Sequence, residues 1–416
     1  MILFWLFIGI ILFGITGYLL QIAAVRSTLK NKQYAVSGKP AEKMIDESVY
    51  FSMPAAYQPP VSILKPLKGL DDGLFDNLES FCNLDYPAYE LIFALQNQND
   101  QAYKVVSKIK EKYPSKDITI VIGHCNEGLN PKVNNLIPAY ARAKYDLILI
   151  SDSNVRVEKG YLTDIAGHMA DPAVGLVSNM IRGVSGRSLG AVMENLHLNT
   201  FIVGSVCFLD KYLGMPCVIG KSMLMRKTEL EAVGGFSSVK DFLAEDYIIG
   251  ERIHRLGKKV ILSSHLIDNV NEYWGMKRFI NRHTRWGKLR WQIGGAKYLS
   301  ELAGNAVFIS FMPLLIMPVS RVSVLLVAMV SSLKIAHDLY IGRKLHTKMH
   351  PLLYLLSPIK DLIIGCIWFV PILSNTVAWR GNTYIIGRDS ALSPMSETGM
   401  WIFSHKVFSA IRARLA

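Results

Sequence analysis

The sequence predicts an α/β fold in which a mostly parallel sheet carries helices on both faces, with membrane helices at both ends of the chain. Two observations predict it. Short apolar, partly β-branched runs alternate with helical stretches, which is typical of parallel sheets. Long uncharged segments lie towards the ends, and 50% of the 416 residues are hydrophobic, with mean hydropathy +0.24. The predicted strands cover residues 61–64, 91–95, 118–122, 147–150, 174–177 and 260–262.

The chain begins with a predicted membrane anchor. Residues 1–25 contain no charged side chain and are close to the roughly 20 residues that a membrane helix needs. A cleaved signal peptide is the alternative, but it would have a basic start and a shorter apolar core. Arg26, Lys30 and Lys32 follow the anchor, and this basic flank places the predicted globular domain, residues 26–302, on the cytoplasmic side.

A predicted membrane region covers residues 303–379. Residues 303–320 and 322–333 are uncharged and predict a hairpin of two helices around Arg321. By contrast, residues 201–209 are apolar but too short to span, and they predict a helix that packs on the sheet or touches the membrane surface.

The last apolar block, residues 351–379, carries Lys360 and Asp361 in its interior. A charged pair at that depth is costly. The segment is therefore either a re-entrant hairpin, which we favour, or a helix whose charged pair is mutually satisfied and functional.

Charge and composition narrow the class of protein. The net charge of +13 favours contact with anionic lipid, and together with the membrane segments it argues against nucleic acid as a partner. Five cysteines without a C-x-x-C pair fit a reduced compartment and no zinc site. Residues 380–416 predict a basic amphipathic tail, with a docking helix as the alternative. Its apolar and basic residues are Trp401, Ile402, Phe403, Val407, Phe408, Ile411, Lys406, Arg412 and Arg414.

Polar residues follow three of the predicted strands. In parallel sheets ligands bind outside the carboxyl ends of the strands, so these residues are candidates for a binding site, with helix capping as the alternative for each one. A loop that enters a helix at residues 130–136 adds a lysine and amide side chains, and a helix amino end favours anions. The candidates are Lys65, Asn97, Asp100, Asp152 and, from the loop, Lys132.

An acidic pair and a basic motif lie further along the chain. Glu245 and Asp246 are adjacent, and Arg282, Arg285 and Trp286 form an R-x-x-R-W motif. A carboxylate can deprotonate an attacking hydroxyl, while two guanidinium groups hold a departing diphosphate. The combination points to sugar transfer at a membrane.

These motifs resemble the ceramide glucosyltransferase family of membrane-bound GT-A glycosyltransferases, including its bacterial members. The resemblance covers about residues 55–300 and returns at residues 379–381. Its specific pieces are K-P-L-K-G at Lys65, N-P-K-V-N-N-L at Asn130, Asp152 with Ser153, G-K-S-M-L-M-R-K at Gly220, A-E-D-Y at Ala244, and R-x-x-R-W at Arg282.

The resemblance implies a GT-A fold, a UDP-sugar donor, a divalent cation and an inverting transfer to a lipid hydroxyl, at a bacterial inner membrane. It implies that Asp152 contacts the metal and the donor, and that Asp246, beside Glu245, is the general base. Arg282, Arg285 and Trp286 would hold the diphosphate and the lipid-side opening. Lys65, Asn97, Asp100 and Lys132 are further donor-binding candidates, and Gly220, Lys221 and Ser222 are candidates for the acceptor side.

The chain departs from the family pattern at two places. Asn97 and Asn99 stand where the family usually has acids, but amides can still hydrogen-bond uracil. Asp152 is the one certain carboxylate of the D-S-N segment, so we expect a weakly held Mg²⁺ or Mn²⁺ that shares the donor phosphates.

Ceramide and glucose are the first-choice acceptor and sugar, and diacylglycerol or a hopanoid are rival acceptors for the same chemistry. A processive polysaccharide synthase uses similar motifs but needs a larger membrane bundle. A non-catalytic sensor of nucleotide sugars is the third reading, motivated by Asn97 and Asn99.

Overall fold

The computed structural model describes residues 2–37, 57–379 and 382–394. Its main body is an eight-stranded sheet with the order β3-β2-β1-β4-β7-β6-β8-β5. Its strands are β1 (Val61–Pro66), β2 (Tyr89–Leu95), β3 (Ile118–Ile122), β4 (Leu147–Ser151), β5 (Val155–Arg156), β6 (Val174–Val184), β7 (Ser222–Arg226) and β8 (Lys259–Val270).

The predicted mostly parallel sheet is confirmed. Strands β3, β2, β1 and β4 are parallel, as are β6 and β8, whereas β7 runs antiparallel to both of its neighbours. All six predicted runs lie within strands of this sheet. Strands β5 and β7 were not predicted, since β5 has two residues and β7 was assigned only to a sequence motif.

Both faces of the sheet are buried. Along β1, Ile63 packs in the core of one face and Leu64 in the core of the other, and Leu149 and Ile150 of β4 repeat the alternation. This is why the strands read as continuous apolar runs. The helices of the globular part are α2 (Leu74–Cys82), α3 (Gln101–Lys112), α4 (Pro131–Tyr140), α5 (Tyr161–Gly167), α6 (Leu189–His197), α7 (Val203–Leu213), α8 (Lys227–Ala232), α9 (Glu245–Arg255) and α10 (Met276–Gly294), after α1 (Ile2–Ser37) at the start of the chain.

Four helical segments are long and apolar enough to cross a membrane by length and composition: Ile2–Lys30, Leu189–Leu213, Arg321–Lys344 and Pro351–Leu373. The first includes residues 2–25 of the predicted anchor. The later helices are α11 (Leu299–Ala303), α12 (Ala306–Ile316), α13 (Arg321–Lys344), α14 (Ser357–Ile367) and α15 (Val370–Leu373).

Two membrane predictions differ from the structure. The first arm of the predicted hairpin contains only α12, which at 11 residues is shorter than a spanning helix and meets the preceding helices at a bend of 69°. Residues 201–209 belong to a 25-residue helical segment, α6 to α7, joined by a π-helical turn. The apolar run at residues 201–209 is shorter than this segment because polar residues, including Glu194 and His197, precede it. Both of these residues are buried inside the protein.

The charged pair at 360–361 is satisfied inside the protein. Lys360 Nζ lies 3.0 Å from an Asp361 carboxylate oxygen, and Asp338 of α13 lies 2.8 Å from Lys334 and 3.5 Å from Lys360. Two lysines and two aspartates therefore compensate each other. This observation supports a paired charge cluster in a helical segment over the favoured re-entrant hairpin.

The chain returns to the main body of the protein after α15. Strands β9 (Thr376–Trp379), β10 (Asn382–Ile386) and β11 (Leu392–Pro394) form a second, antiparallel sheet. The predicted membrane region therefore ends in a strand at residues 376–379, and the predicted tail starts with two further strands. The amphipathic residues of that tail, from Trp401 onwards, lie outside the described residues.

Candidate active site

A cleft of about 910 Å³ opens at the carboxyl ends of β1 and β4. One wall is the start of α4, another is the loop before α9, and a third is α10. Sequence-predicted residues on its lining are Lys132, Asp152, Gly220, Lys221, Glu245, Asp246, Arg282, Arg285 and Trp286.

Asp152 lies directly beyond the end of β4 and is held between two lysines. Its Oδ1 is 3.0 Å from Lys132 Nζ, and its Oδ2 is 2.9 Å from Lys221 Nζ. The local sequence explains the position of Lys132, because the Asn130 side chain caps α4 by accepting the N–H groups of Lys132 and Val133. Pro131 follows the cap at the first helical position, where an N–H group would have no partner within the helix, so its absence costs no hydrogen bond.

Lys132 and Lys221 keep the Asp152 carboxyl group ionised. Burial alone would raise the pKa of its carboxyl, but Lys132 and Lys221 hold that pKa well below its usual range. Burial also lowers the pKa of Lys221, with Asp152 opposing. Lys132 bridges a second acid, since its Nζ lies 2.9 Å from Glu245. The two sides of the cleft are thus joined through one ammonium group.

Asp246 occupies the first turn of α9 and faces the cleft. Its carboxylate accepts the N–H groups of Gly220 and Tyr247, each at 2.8 Å. Burial and the neighbouring Glu245 raise the pKa of Asp246 to about 6, while Lys132 opposes them. Gly220 must be glycine here, because a Cβ atom at this position would lie 2.5 Å from the Asp246 carboxylate. An acid with this pKa is ionised at neutral pH and is a stronger base than an ordinary aspartate.

Two flanking segments hold the loop before the acidic pair. On one side, the Asn130 amide donates to the carbonyl of Phe242 at 2.7 Å and to Glu245 at 3.0 Å. On the other side, Ser390 accepts the N–H of Leu243 with its carbonyl at 3.0 Å and the N–H of Ala244 with its hydroxyl at 3.2 Å. The C-terminal sheet therefore braces the acidic pair.

Helix α10 presents the basic motif to the cleft. The Arg282 guanidinium lies 4.3 Å from the centre of the Trp286 ring and 5.1 Å from that of Trp274. Its Nε lies 3.3 Å from the fully buried Glu194, which also bonds His283 at 2.8 Å. The aromatic rings and Glu194 fix the direction of a cation that could bind a diphosphate.

Some predicted residues lie elsewhere. Lys65 is completely buried and donates to Ser151 and to the backbone carbonyl of Asp152, so it supports Asp152 from behind. Asn97 is exposed and Asp100 caps α3, and neither lines the cleft. Ser222 is buried and bonds Asn179, so of the acceptor-side candidates Gly220 and Lys221 face the cleft.

The sequence did not reveal several residues that shape the cleft. Trp274, Arg278 and Trp379 line the cleft, and Glu194 and Ser390 contact residues that belong to it or to the loop before the acidic pair. An acid in an otherwise apolar helix is a sequence signal for Glu194, and the family resemblance at residues 379–381 is a signal for Trp379.

The cleft geometry can be compared with known proteins. The model of a protein family described as glycosyl transferase family 21 matches residues 18–392. The chain belongs to glycosyl transferase family 21. The predicted GT-A type of fold and the predicted family are thereby confirmed.

Two relatives of this family 21 chain are ceramide glucosyltransferases. Ceramide glucosyltransferase 3 of Caenorhabditis elegans is 35% identical over 233 residues, which are 56% of this chain and 50% of the relative. Ceramide glucosyltransferase of Komagataella phaffii is 33% identical over 192 residues, 41% of this chain and 38% of the relative. The chain thus spans about half the length of the nematode relatives it matches.

Solved structures show a more distant likeness. Mannosyltransferase PcManGT from Pyrobaculum calidifontis, in complex with GDP-Man and Mn²⁺, has a TM-score of 0.49 and 16% identity, over 85% of this chain and 99% of that one. S. aureus TarS 1–349 in complex with UDP-GlcNAc has a TM-score of 0.36 and 14% identity, over 80% of this chain and 98% of that one.

The side chains of this family 21 cleft that could bind a metal fit an ion that takes few protein ligands. Among the residues that the structure describes, no three His, Cys, Asp or Glu side chains form a group that could hold a metal. Asp152 is the strand-end carboxylate, and its charge is kept by the lysines. Mg²⁺ commonly uses one or two carboxylates together with substrate phosphates and water, so Asp152 fits an ion that arrives with a diphosphate.

Proposed function

We propose that this protein is a UDP-sugar-dependent glycosyltransferase that moves a hexose, glucose as first choice, to the hydroxyl of a membrane lipid, ceramide as first choice. The observation that carries the proposal is a single cleft that contains both Asp246, a carboxylate with a raised pKa, and the arginines of α10. The cleft lies beside a helical segment that is long enough to span a membrane. Family membership and the ceramide glucosyltransferase relatives support it.

In the proposed reaction, Asp246 accepts the proton of the lipid hydroxyl while that oxygen attacks the anomeric carbon. The bond between the anomeric carbon and the diphosphate oxygen breaks, and UDP leaves with the electron pair. A single displacement of this kind inverts the anomeric configuration. Gly220 orients the base by donating its N–H to Asp246.

The leaving diphosphate needs positive charge on the other side of the sugar. Arg282 and Arg285 line the cleft and would compensate that charge, with Lys132 between the acids and the donor. Asp152 would hold Mg²⁺ or Mn²⁺ together with the donor, and the bound ion would supply further charge compensation.

The lipid would approach along the apolar part of the lining. Ile181, Ile202 and Val218 line the cleft, and Ile202 belongs to the helical segment that is long enough to reach a membrane. We propose that residues 26–302 act on the cytoplasmic side, where UDP-sugars are made, at the inner membrane of a bacterium.

The test incubates membranes that contain the full chain with labelled UDP-glucose and either ceramide or diacylglycerol, with glycolipid read by mass spectrometry. We expect glucosylceramide from the wild type and none from Asp246→Asn. Asp117→Asn, which changes an exposed acid on the far edge of the sheet, should keep the product. Product on diacylglycerol alone would mean that diacylglycerol, not ceramide, is the acceptor. A soluble polymer would mean that the protein is a polysaccharide synthase. Donor binding without turnover would favour a sensor.

A further inference from the structure

Lys221 contacts Asp152, the carboxylate that would hold a metal ion. Its Nζ lies 2.9 Å from Asp152 Oδ2 and 2.6 Å from the side-chain oxygen of Asn154. Lys132 Nζ lies on the other oxygen, Oδ1, at 3.0 Å. Both oxygens of the carboxylate therefore already have a cationic partner. A carboxylate oxygen can accept a second partner, but a divalent ion beside Asp152 would lie close to both ammonium groups, and their repulsion favours the departure of one of them.

The two lysines differ in how firmly they are held. Lys132 has three anionic or carbonyl partners, namely Asp152, Glu245 and the carbonyl of Gly220 at 3.1 Å. The partners of Lys221 both belong to the segment after β4. Lys221 is thus the cation that leaves at lower cost.

A bound diphosphate would offer the Lys221 ammonium group a new anionic partner. Lys221 lines the same cleft as Arg282 and Arg285, and a lysine carries its charge on a flexible four-carbon stem. Phosphate oxygens accept strong hydrogen bonds from ammonium groups. The diphosphate would also complete the ligands of the ion, because Asp152 alone is a poor site.

We propose that Lys221 neutralises Asp152 in the empty enzyme and yields this carboxylate to the divalent cation only when the nucleotide diphosphate binds. Metal binding is then conditional on the donor, and the freed ammonium turns to the diphosphate. The inference rests on the proposed role of Asp152 in sharing the metal with the donor.

The experiment measures Mn²⁺ binding to the full-length protein in detergent, from the loss of the free Mn²⁺ signal in electron paramagnetic resonance. UDP is added or omitted, a UDP blank without protein corrects for the Mn²⁺ that UDP itself binds, and no acceptor is present. For the wild type, we expect UDP to tighten Mn²⁺ binding by at least about tenfold. For Lys221→Met, we expect Mn²⁺ binding without UDP to be at least about tenfold tighter than in the wild type, so that the effect of UDP shrinks.

Two controls separate this effect from the general field of the cleft. Lys277→Met removes one positive charge from the same lining, and no ion pair among the described residues joins Lys277 to Asp152. It should leave Mn²⁺ binding near the wild-type value. Lys221→Arg keeps the charge and should also bind as the wild type does. Lys221→Gln provides a second neutral variant if the methionine variant loses its cooperative melting transition.

Equal Mn²⁺ affinity of wild type and both neutral variants without UDP would overturn the inference, as would an equal gain in Lys277→Met. Tight Mn²⁺ binding by the wild type without UDP would overturn it as well. The outcome is independent of glycolipid synthesis. If Mn²⁺ binding changes as expected but no glycolipid forms, the proposed function fails and the inference stands.

Discussion

The hydroxyl of Ser390 accepts the backbone N–H of Ala244, the residue directly before the acidic pair, at 3.2 Å. Ser390 is fully buried, and both it and Asp389 adopt a left-handed backbone with φ of 69° and 54°. Residues other than glycine rarely take this conformation, and its cost is met here by the bonds to the loop before α9. Ser390 is therefore a positioning residue for Glu245 and Asp246.

Ser390→Ala should lower kcat for glycolipid synthesis by about two- to tenfold, since one hydrogen bond is worth about 0.5–1.5 kcal/mol. KM for the donor should change little, because Ser390 does not line the cleft. Ser393→Ala alters an exposed serine of the same small sheet and serves as the control. Equal kcat in both variants would contradict the positioning role.

The pH profile should report Asp246. Its pKa is raised to about 6, and the base works only when ionised, so kcat/KM should be full at neutral pH and fall as the pH drops through about 6. Glu245→Gln removes a neighbouring negative charge that raises this pKa. The acid limb should then move to lower pH, and an unmoved limb would assign the titration to another group.

Gly220→Ala should reduce kcat by about a hundredfold, as expected when a catalytic group is displaced by about 1 Å. The added methyl would meet the Asp246 carboxylate at 2.5 Å. Gly160→Ala is a matched control, because a Cβ there meets nothing within 4 Å and its φ is −82°. Donor binding measured by calorimetry should survive in both, and full activity of Gly220→Ala would refute the proposed contact.

Asp338→Asn should destabilise the fold strongly. The change leaves Lys334 and Lys360 with one aspartate, Asp361, and breaking a buried ion pair on one side costs about 3–5 kcal/mol. Thermal unfolding in detergent would show a lower midpoint than that of Asp117→Asn, a surface change. An unchanged midpoint would mean that this cluster does not hold α13 and α14 together.

The sequence predicted the parts of the sheet whose strands are buried on both faces, such as β1 and β4, because burial demands continuous apolar runs. It missed β7, where Ser222 and Arg226 interrupt the apolar pattern at the two ends. Strand β9 was read as membrane because Thr376–Trp379 continues an uncharged stretch. Local hydropathy cannot distinguish a helix from a strand in so short a run.

The sequence predicted residues on the cleft lining better than the residues that support them. Asp152, Asp246 and Arg282 were chosen because their residue types suit the reaction, and the structure brings all three to one lining. Glu194 and Ser390 act through contacts with residues about 90 and 146 positions away along the chain. Lys65 follows a strand end like the others, yet it points into the core against Phe81, 3.6 Å from the ring centre. Such contacts depend on tertiary packing, which has no local sequence pattern.

The position of the second sheet late in the chain determines when the acidic pair gains its support during translation. Strands β9 to β11 and Ser390, which lies between β10 and β11 and supports the loop before the acidic pair, are translated after α15. In a nascent chain that has completed α10 but not the later helices, the loop before Glu245 and Asp246 lacks this support. If the protein works as proposed, Asp246 is therefore held in its working position only after those helices have been made, and sugar transfer reaches its full rate only after that stage of translation.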